Sequence, residues 1–199
     1  MAPRGQTRQR ILDAAQVLFQ RQGYHATGVN QILSEAGAPK GTLYFHFPGG
    51  KEELAVETVS RAADQWGQAI DAALAQADPA ASAHAVTDLL GTMLRQSDFR
   101  DGCPLATVAL EVAADSDQVQ AACANGYQHW ITLIAARLRE RGIPGDAAAD
   151  LAEFILSTVE GALLLARVQR DTTPLRRAAT RLAAIIAQEI PPATGEPVH

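Results

Sequence analysis

Residues 37–54 read GAPKGTLYFHFPGGKEEL. Two lysines, Lys40 and Lys51, and a histidine, His46, stand among the rings of Tyr44, Phe45 and Phe47, punctuated by glycine and proline, in a chain of 199 residues with formal net charge −5. A buried helix has no use for the lysines. A solvated loop has none for the Leu-Tyr-Phe-His-Phe run. The pattern is a compact basic, aromatic knob between two helical segments.

Upstream, TRQRILDAAQVLFQRQG places Ile11, Ala14, Ala15, Leu18 and Phe19 on one helical face. Thr7 is expected to cap its start and Gly23 its end. GVNQILSEAG makes a short second helix stopped by Gly37, with Thr27 or Gly28 at its start and Gln31 where a capping box places its Glu or Gln. After the turn GAP, KGTLYFHF makes a third, shorter helix ended by Pro48-Gly49-Gly50. A bracing helix followed by two short helices across a glycine-bearing turn is the helix-turn-helix arrangement. Lys40 and Thr42, in the first turn of the third helix, are candidates for base edges or phosphates, and Gly41 allows close backbone approach. Leu43 packs back on Ile32 and Phe19. Tyr44 and His46 offer donors to phosphate oxygens, and Lys51 opens the next helix, whose amides also favour an anion. Phe45, off the inward face of Leu43 and Phe47, suits a thymine methyl. The plainer alternatives are a core-rim Tyr44 and a core Phe45.

Charge divides the same way. Residues 1–50 hold five basic side chains against Asp13 and Glu35, a net of +3; residues 51–199 hold the other 12 basic and 20 acidic ones, a net of −8. A basic head on an acidic body fits a protein that meets a polyanion by its head alone.

Residues 7–54, through ILDAAQVLFQRQGYHATGVNQILSEAGAPKGTLYFHF and KEEL, resemble the DNA-binding domain of the TetR/AcrR family of bacterial transcriptional regulators. FPGGKEELA and DGCPLATVALE are similar to the LmrA/YxaF-like branch. The resemblance implies a head that binds DNA and a helical C-terminal domain that binds a small molecule and dimerises, binding usually releasing DNA. Three features depart from the family pattern. Pro39 stands where a Ser or Thr often caps the recognition helix, Gly28 replaces a common hydroxyl and leaves Thr27 as the candidate, and PGGK is one residue longer than the commoner form.

The remaining chain is expected to be all-α, about nine helices in total by periodicity. The next helices run from Lys51 to about Ala77, Ala83 to about Ser97, Pro104 to about Ala114, Gln118 to Arg141, Asp146 to Arg170 and Pro174 to Ile190. The expected division is a head over 1–50, a ligand-binding and dimerisation domain over 51–190 and a disordered tail over 191–199. Bulky residues on different helices mark a candidate ligand pocket: Trp66, Ile70, Met93, Phe99, Leu105, Val108, Tyr127, Trp130 and Phe154, with Cys103 and Glu111 beside them. For any one of them, solid core is the plainer alternative. Glu111, His129 and Glu160 interrupt apolar stretches and must be paired, solvated or ligand-facing. The last two helices carry an apolar excess, and Ile155, Val159, Ala162, Leu163, Leu182 and Ile186 are the expected homodimer interface.

No catalytic constellation, cofactor motif or metal-ligand spacing stands out, and Cys103 and Cys123 are too few for a disulfide framework. No signal peptide or membrane span is evident, so a soluble cytoplasmic protein is expected. The main expectation is a dimeric repressor, not an enzyme, released from a palindromic double-stranded operator by an apolar or aromatic effector. The alternatives are a regulator without a ligand, and a helical small-molecule binder or thiol enzyme with a vestigial head. Oxidation of Cys103 is a rival trigger.

Overall fold

Burying the apolar stripes of so many amphipathic segments requires helices stacked on helices. The computed structural model describes residues 4–76 and 78–191, and among these residues it holds nine helices and no strand. The tail expected to be disordered falls, beyond Pro191, outside the described residues.

The head comprises α1 (Arg4–Gln22), α2 (Val29–Glu35) and α3 (Thr42–His46). Because α1 begins at Arg4, Thr7 lies inside it and accepts a hydrogen bond from Arg10 (3.4 Å) instead of capping. Ile11, Ala15, Leu18 and Phe19 form its buried face, on which Ile32, Leu33, Leu43 and Phe47 close. α3 is shorter at its start than the sequence suggests. Lys40 and Gly41 form the turn ahead of it, with Gly41 at φ +88°, a left-handed backbone that a residue with a Cβ rarely adopts.

The body comprises α4 (Gly50–Leu74), α5 (Pro79–Gln96), α6 (Pro104–Val112), α7 (Asp117–Glu140), α8 (Gly145–Gln169) and α9 (Thr173–Glu189). α5 starts four residues before the expected Ala83, because the Asp78 carboxylate accepts from the amides of Ala80 (3.2 Å) and Ala81 (3.1 Å) and Pro79 occupies the first turn. Ser116 caps α7 in the same way, accepting from the Val119 amide at 3.2 Å. α4 lies along α7, α5 along α9 and α7 along α8, while α1 reaches out of the head to α4 and α6. The indole N–H of Trp130 donates to the Ala63 carbonyl at 2.8 Å, which pins α7 on α4. A second, smaller apolar cluster around Ile134, Leu138, Ile143 and Ile186 closes the end of the body away from the head.

Candidate functional site

On the head, Tyr44 is 65% and Phe45 66% exposed, so neither belongs to the core or its rim. The Phe45 ring meets His46 edge-on, 4.9 Å between centroids. Lys40, Gly41 and Gln31 are exposed beside them, and Thr42 and His46 are half-buried. The Thr42 hydroxyl donates to the Pro39 carbonyl at 2.6 Å, holding the turn that Pro39 begins. Gln31 pairs with Gln22 at 2.9 Å and closes no capping box; α2 has no side-chain cap at Gly28.

Thr27 is a correction. Its side chain is fully buried and its hydroxyl donates backwards to the Gly23 carbonyl at 2.6 Å, so it neither caps α2 nor reaches a nucleic acid. Lys51 is tethered: its ammonium lies 4.1 Å from the centroid of the Tyr24 ring. Burial pulls its pKa below the ordinary lysine value, opposed by the charge of Glu111. Tyr24, which sequence reasoning did not single out, thus holds Lys51, the one lysine of α4, against the head. The head's charge is also partly internal, since Arg8 bonds Glu57 and stacks on Phe47, and Arg21 pairs with Asp101 at 3.1 Å.

Glu111 is a second correction. It accepts from the backbone amide of His25 at 2.7 Å, and its backbone carbonyl lies 3.2 Å from the His25 ring, so it seals the joint between head and body and stands apart from the body cavity. Gly23 makes room for it: a Cβ there would come 1.8 Å from a Glu111 carboxylate oxygen.

The body encloses a cavity with about 940 Å³ of empty space, its mouth included. Trp66, Ile70 and Leu74 of α4, Met93 of α5, Cys103 and Pro104 at the start of α6, and Trp130 and Ile134 of α7 line it. Thus Trp66, Ile70, Met93, Cys103 and Trp130 stand where a pocket was expected. Phe99, Leu105, Val108, Tyr127 and Phe154 do not. Leu105 and Val108 are fully buried because α6 packs against α1, α4 and α7. Phe99, at φ +57° in the turn after α5, packs against the main core. Tyr127 stands behind the wall, its hydroxyl 3.8 Å from the Cys103 sulfur and its ring edge-on to Trp130. Phe154 is 49% exposed on the outside of α8.

The residues expected at a dimer face turn inward. Ile155, Val159, Leu163, Leu182 and Ile186 line the cavity, and Ala162 is buried among the core residues. The uncovered apolar side chains of α8 are Phe154, Leu164, Leu165 and Val168, beside Gly161, where an added Cβ would meet open space. α8 is apolar nearly all round, so its sequence period cannot say which face turns inward.

Most polar groups on the cavity wall are already committed. Arg137 bonds Asp71 (2.8 Å) and Glu140 (3.0 Å), and Arg141 bonds the Gln76 carbonyl and Ser82 hydroxyl, both at 2.8 Å. Glu160 differs: its neighbour on the wall is the Cys103 thiol, a weak donor. Burial pushes its carboxyl above the ordinary range, and the neighbouring Cys103 thiol partly offsets this. Burial and the charge of Glu160 hold the Cys103 thiol well above its own ordinary value. No group of three or more potential metal ligands occurs among the described residues, and none of their helices is long and apolar enough to cross a membrane.

The family model for bacterial regulatory proteins of the tetR family matches residues 11–58, and that for the C-terminal domain of LmrA/YxaF-like transcriptional regulators matches residues 79–181. The chain is 38% identical over 172 residues to the HTH-type transcriptional regulator LmrA of Bacillus subtilis, covering 86% of this chain and 92% of that one. The chain belongs to the TetR family. It is also 35% identical to the Bacillus subtilis regulator YxaF, over 96% of each chain. A crystal structure of a TetR transcriptional regulator from Chloroflexus aurantiacus superposes with TM-score 0.78 at 30% identity, covering 94% of this chain and 96% of that one. As a TetR-family transcriptional regulator, the protein has its helix-turn-helix in α1–α3, and its LmrA/YxaF-like part holds α5–α8 and most of α9.

Proposed function

We propose that this regulator is a dimeric repressor that leaves a palindromic operator when an apolar or aromatic small molecule occupies the body cavity. The observation that carries the proposal is the pairing of an apolar cavity walled by six helices with a head whose exposed rings are Tyr44 and Phe45. A mostly apolar wall with two indoles and few polar groups is the lining expected of a small-molecule site. Lys40 and Thr42 are assigned to base edges, Tyr44 and His46 to phosphates and Phe45 to a thymine methyl. Lys51 contributes to phosphate binding from its seat on Tyr24. Residues 1–50 form the DNA-binding unit and 51–190 the ligand-binding and dimerisation unit, acting in the cytoplasm where the operator is. Two heads on one palindrome require a dimer, and the uncovered face of α8 at Phe154, Leu165 and Val168, with α9 beside it, is the surface we assign to it.

A thiol-enzyme reading and an oxidation-triggered one are both disfavoured, because a Cys103 thiol held protonated is a poor nucleophile and a slow target of oxidants.

Selection of bound fragments from a random DNA pool tests the head. The expected product is a palindrome with half-sites about one helical turn apart. Lys40→Ala and Thr42→Ala then weaken binding by about 1–3 kcal/mol at single base pairs, and Tyr44→Phe weakens all sequences alike. Undiminished operator binding by a folded Lys40→Ala, Tyr44→Phe double variant would overturn the assignment. Operator affinity measured with and without candidate effectors tests the release.

A further inference from the structure

The cavity wall is almost wholly apolar, and its exceptions are uneven. Both arginines on it are spent on carboxylates, carbonyls and a hydroxyl of the protein, and Ser82 donates to the Leu74 carbonyl at 3.2 Å while it accepts from Arg141. Glu160, midway along α8, is the exception: it faces the cavity, and its partner on the wall is the Cys103 thiol. A thiol is a weak donor, so the carboxyl keeps acceptor capacity that a ligand's stronger donor can fill. Trp66, Met93 and Trp130 on the same wall offer flat and soft surfaces to a ring.

Resting on the effector-cavity reading above, we infer that the effector is an apolar, ring-bearing molecule that presents a hydrogen-bond-donating group, a hydroxyl or an ammonium, to Glu160, and that anionic carboxylates are rejected. A carboxylate placed there meets the Glu160 carboxyl, while Arg137 is already paired with Asp71 and Glu140 and Arg141 is held by two carbonyls and a hydroxyl. A donor-free hydrocarbon fills the space but leaves Glu160 with the thiol alone. A hydroxyl or ammonium fills the space and completes the hydrogen bonding of the wall.

The test compares four molecules of one frame by titration calorimetry on the full-length protein: 2-methylnaphthalene, 2-naphthalenemethanol, 2-naphthylmethylamine and 2-naphthoate. The alcohol or the amine is expected to bind about tenfold or more tightly than the hydrocarbon, and naphthoate more weakly than either. In Glu160→Leu the donor advantage disappears while the hydrocarbon binds at least as well as before. Glu160→Gln separates the two donor sources, since an amide carbonyl still accepts from a hydroxyl but no longer pairs with an ammonium's charge. Equal binding of all four, or preference for naphthoate, overturns the assignment of Glu160 while leaving the cavity as a ligand site. Failure of all four to bind the wild-type protein overturns both. Because the wild-type ranking decides the matter alone, a Leu variant that fails to fold does not rescue the proposal.

Discussion

A buried carboxyl whose pKa is raised on folding makes stability fall as pH rises. Below the ordinary carboxyl pKa, Glu160 is protonated in both folded and unfolded chains; above it, the unfolded chain gives up the proton first, so stability drains until the folded pKa is passed. The ionisable groups around it are the Cys103 thiol, Tyr127 behind it, and Arg137 and Arg141 along the α7 wall; the lining residues of α4, α5 and α9 bring none. Urea melts across the mildly acidic to neutral range are expected to show this loss in the wild type and a smaller one in Glu160→Gln. Thr27 gives the opposite kind of residue effect. Thr27→Ala removes a buried hydrogen bond and is expected to cost about 1–3 kcal/mol in a urea melt, with operator affinity of the folded fraction unchanged. A hydroxyl ahead of a helix caps forward or bonds backward with the same sequence signature, which is why Thr27 was legible as polar and ordered but not as buried. Phe45, by contrast, could be placed off the inward face because Leu43 and Phe47 claim that face at i and i+4.

At the level of elements, one contact links the cavity to the head. Gln20 of α1 donates to the Gly102 carbonyl (2.9 Å), next to the cavity residue Cys103, and approaches the sulfur of the cavity residue Met93 at 3.3 Å. Arg167 of α8 adds a strut, donating to the Arg100 carbonyl at 2.8 Å and towards the Arg21 carbonyl at 3.4 Å. A ligand that displaces Met93 or the start of α6 therefore works directly on α1. Gln20→Leu is expected to leave operator affinity within about threefold of wild type but to reduce ligand-driven release by about 1 kcal/mol of coupling, read as the ratio of operator affinities with and without ligand. A Gln20→Leu protein that responds like wild type would send the coupling through the remaining links, α4, the Arg167 strut and the Glu111–His25 joint. Most helix positions were legible from the 3.6-residue period. The start of α5 was not, because ADP looks like a break until the Asp78 carboxylate is seen folded over the next amides. The inward face of α8 was not either: Phe154, Val159, Leu163 and Val168 are all apolar, and only packing against α7 and α9 decides among them.

For the whole molecule, the proposed dimer surface and the cavity wall lie on two faces of α8, so assembly and folding can be tested apart. Leu165→Glu places a charge on the uncovered face and is expected to give a folded monomer that has lost operator binding, because one head holds a half-site too weakly. Leu163→Glu, which points a charge into the cavity wall, is expected to lower the melting temperature instead. Sedimentation and thermal melts distinguish the pair; a dimeric Leu165→Glu protein would move the interface off this face. The all-helical plan and the basic head were legible in composition and motif, since both follow from local patterns. The cavity was legible only in part, because its wall is assembled from six helices whose mutual rotation no local pattern encodes.

Both tryptophans of the chain, Trp66 and Trp130, stand on that wall. The protein therefore carries its own optical gauge: all of its indole emission originates beside the cavity. An occupant that displaces water from the wall should shift that emission to the blue and shield it from a soluble quencher such as acrylamide. Events confined to the exposed rings of the head leave the signal nearly unchanged. Cavity filling and the proposed operator release can then be timed separately in one unlabelled sample, and their order tells whether the regulator lets go because it has been filled or is filled once it has let go.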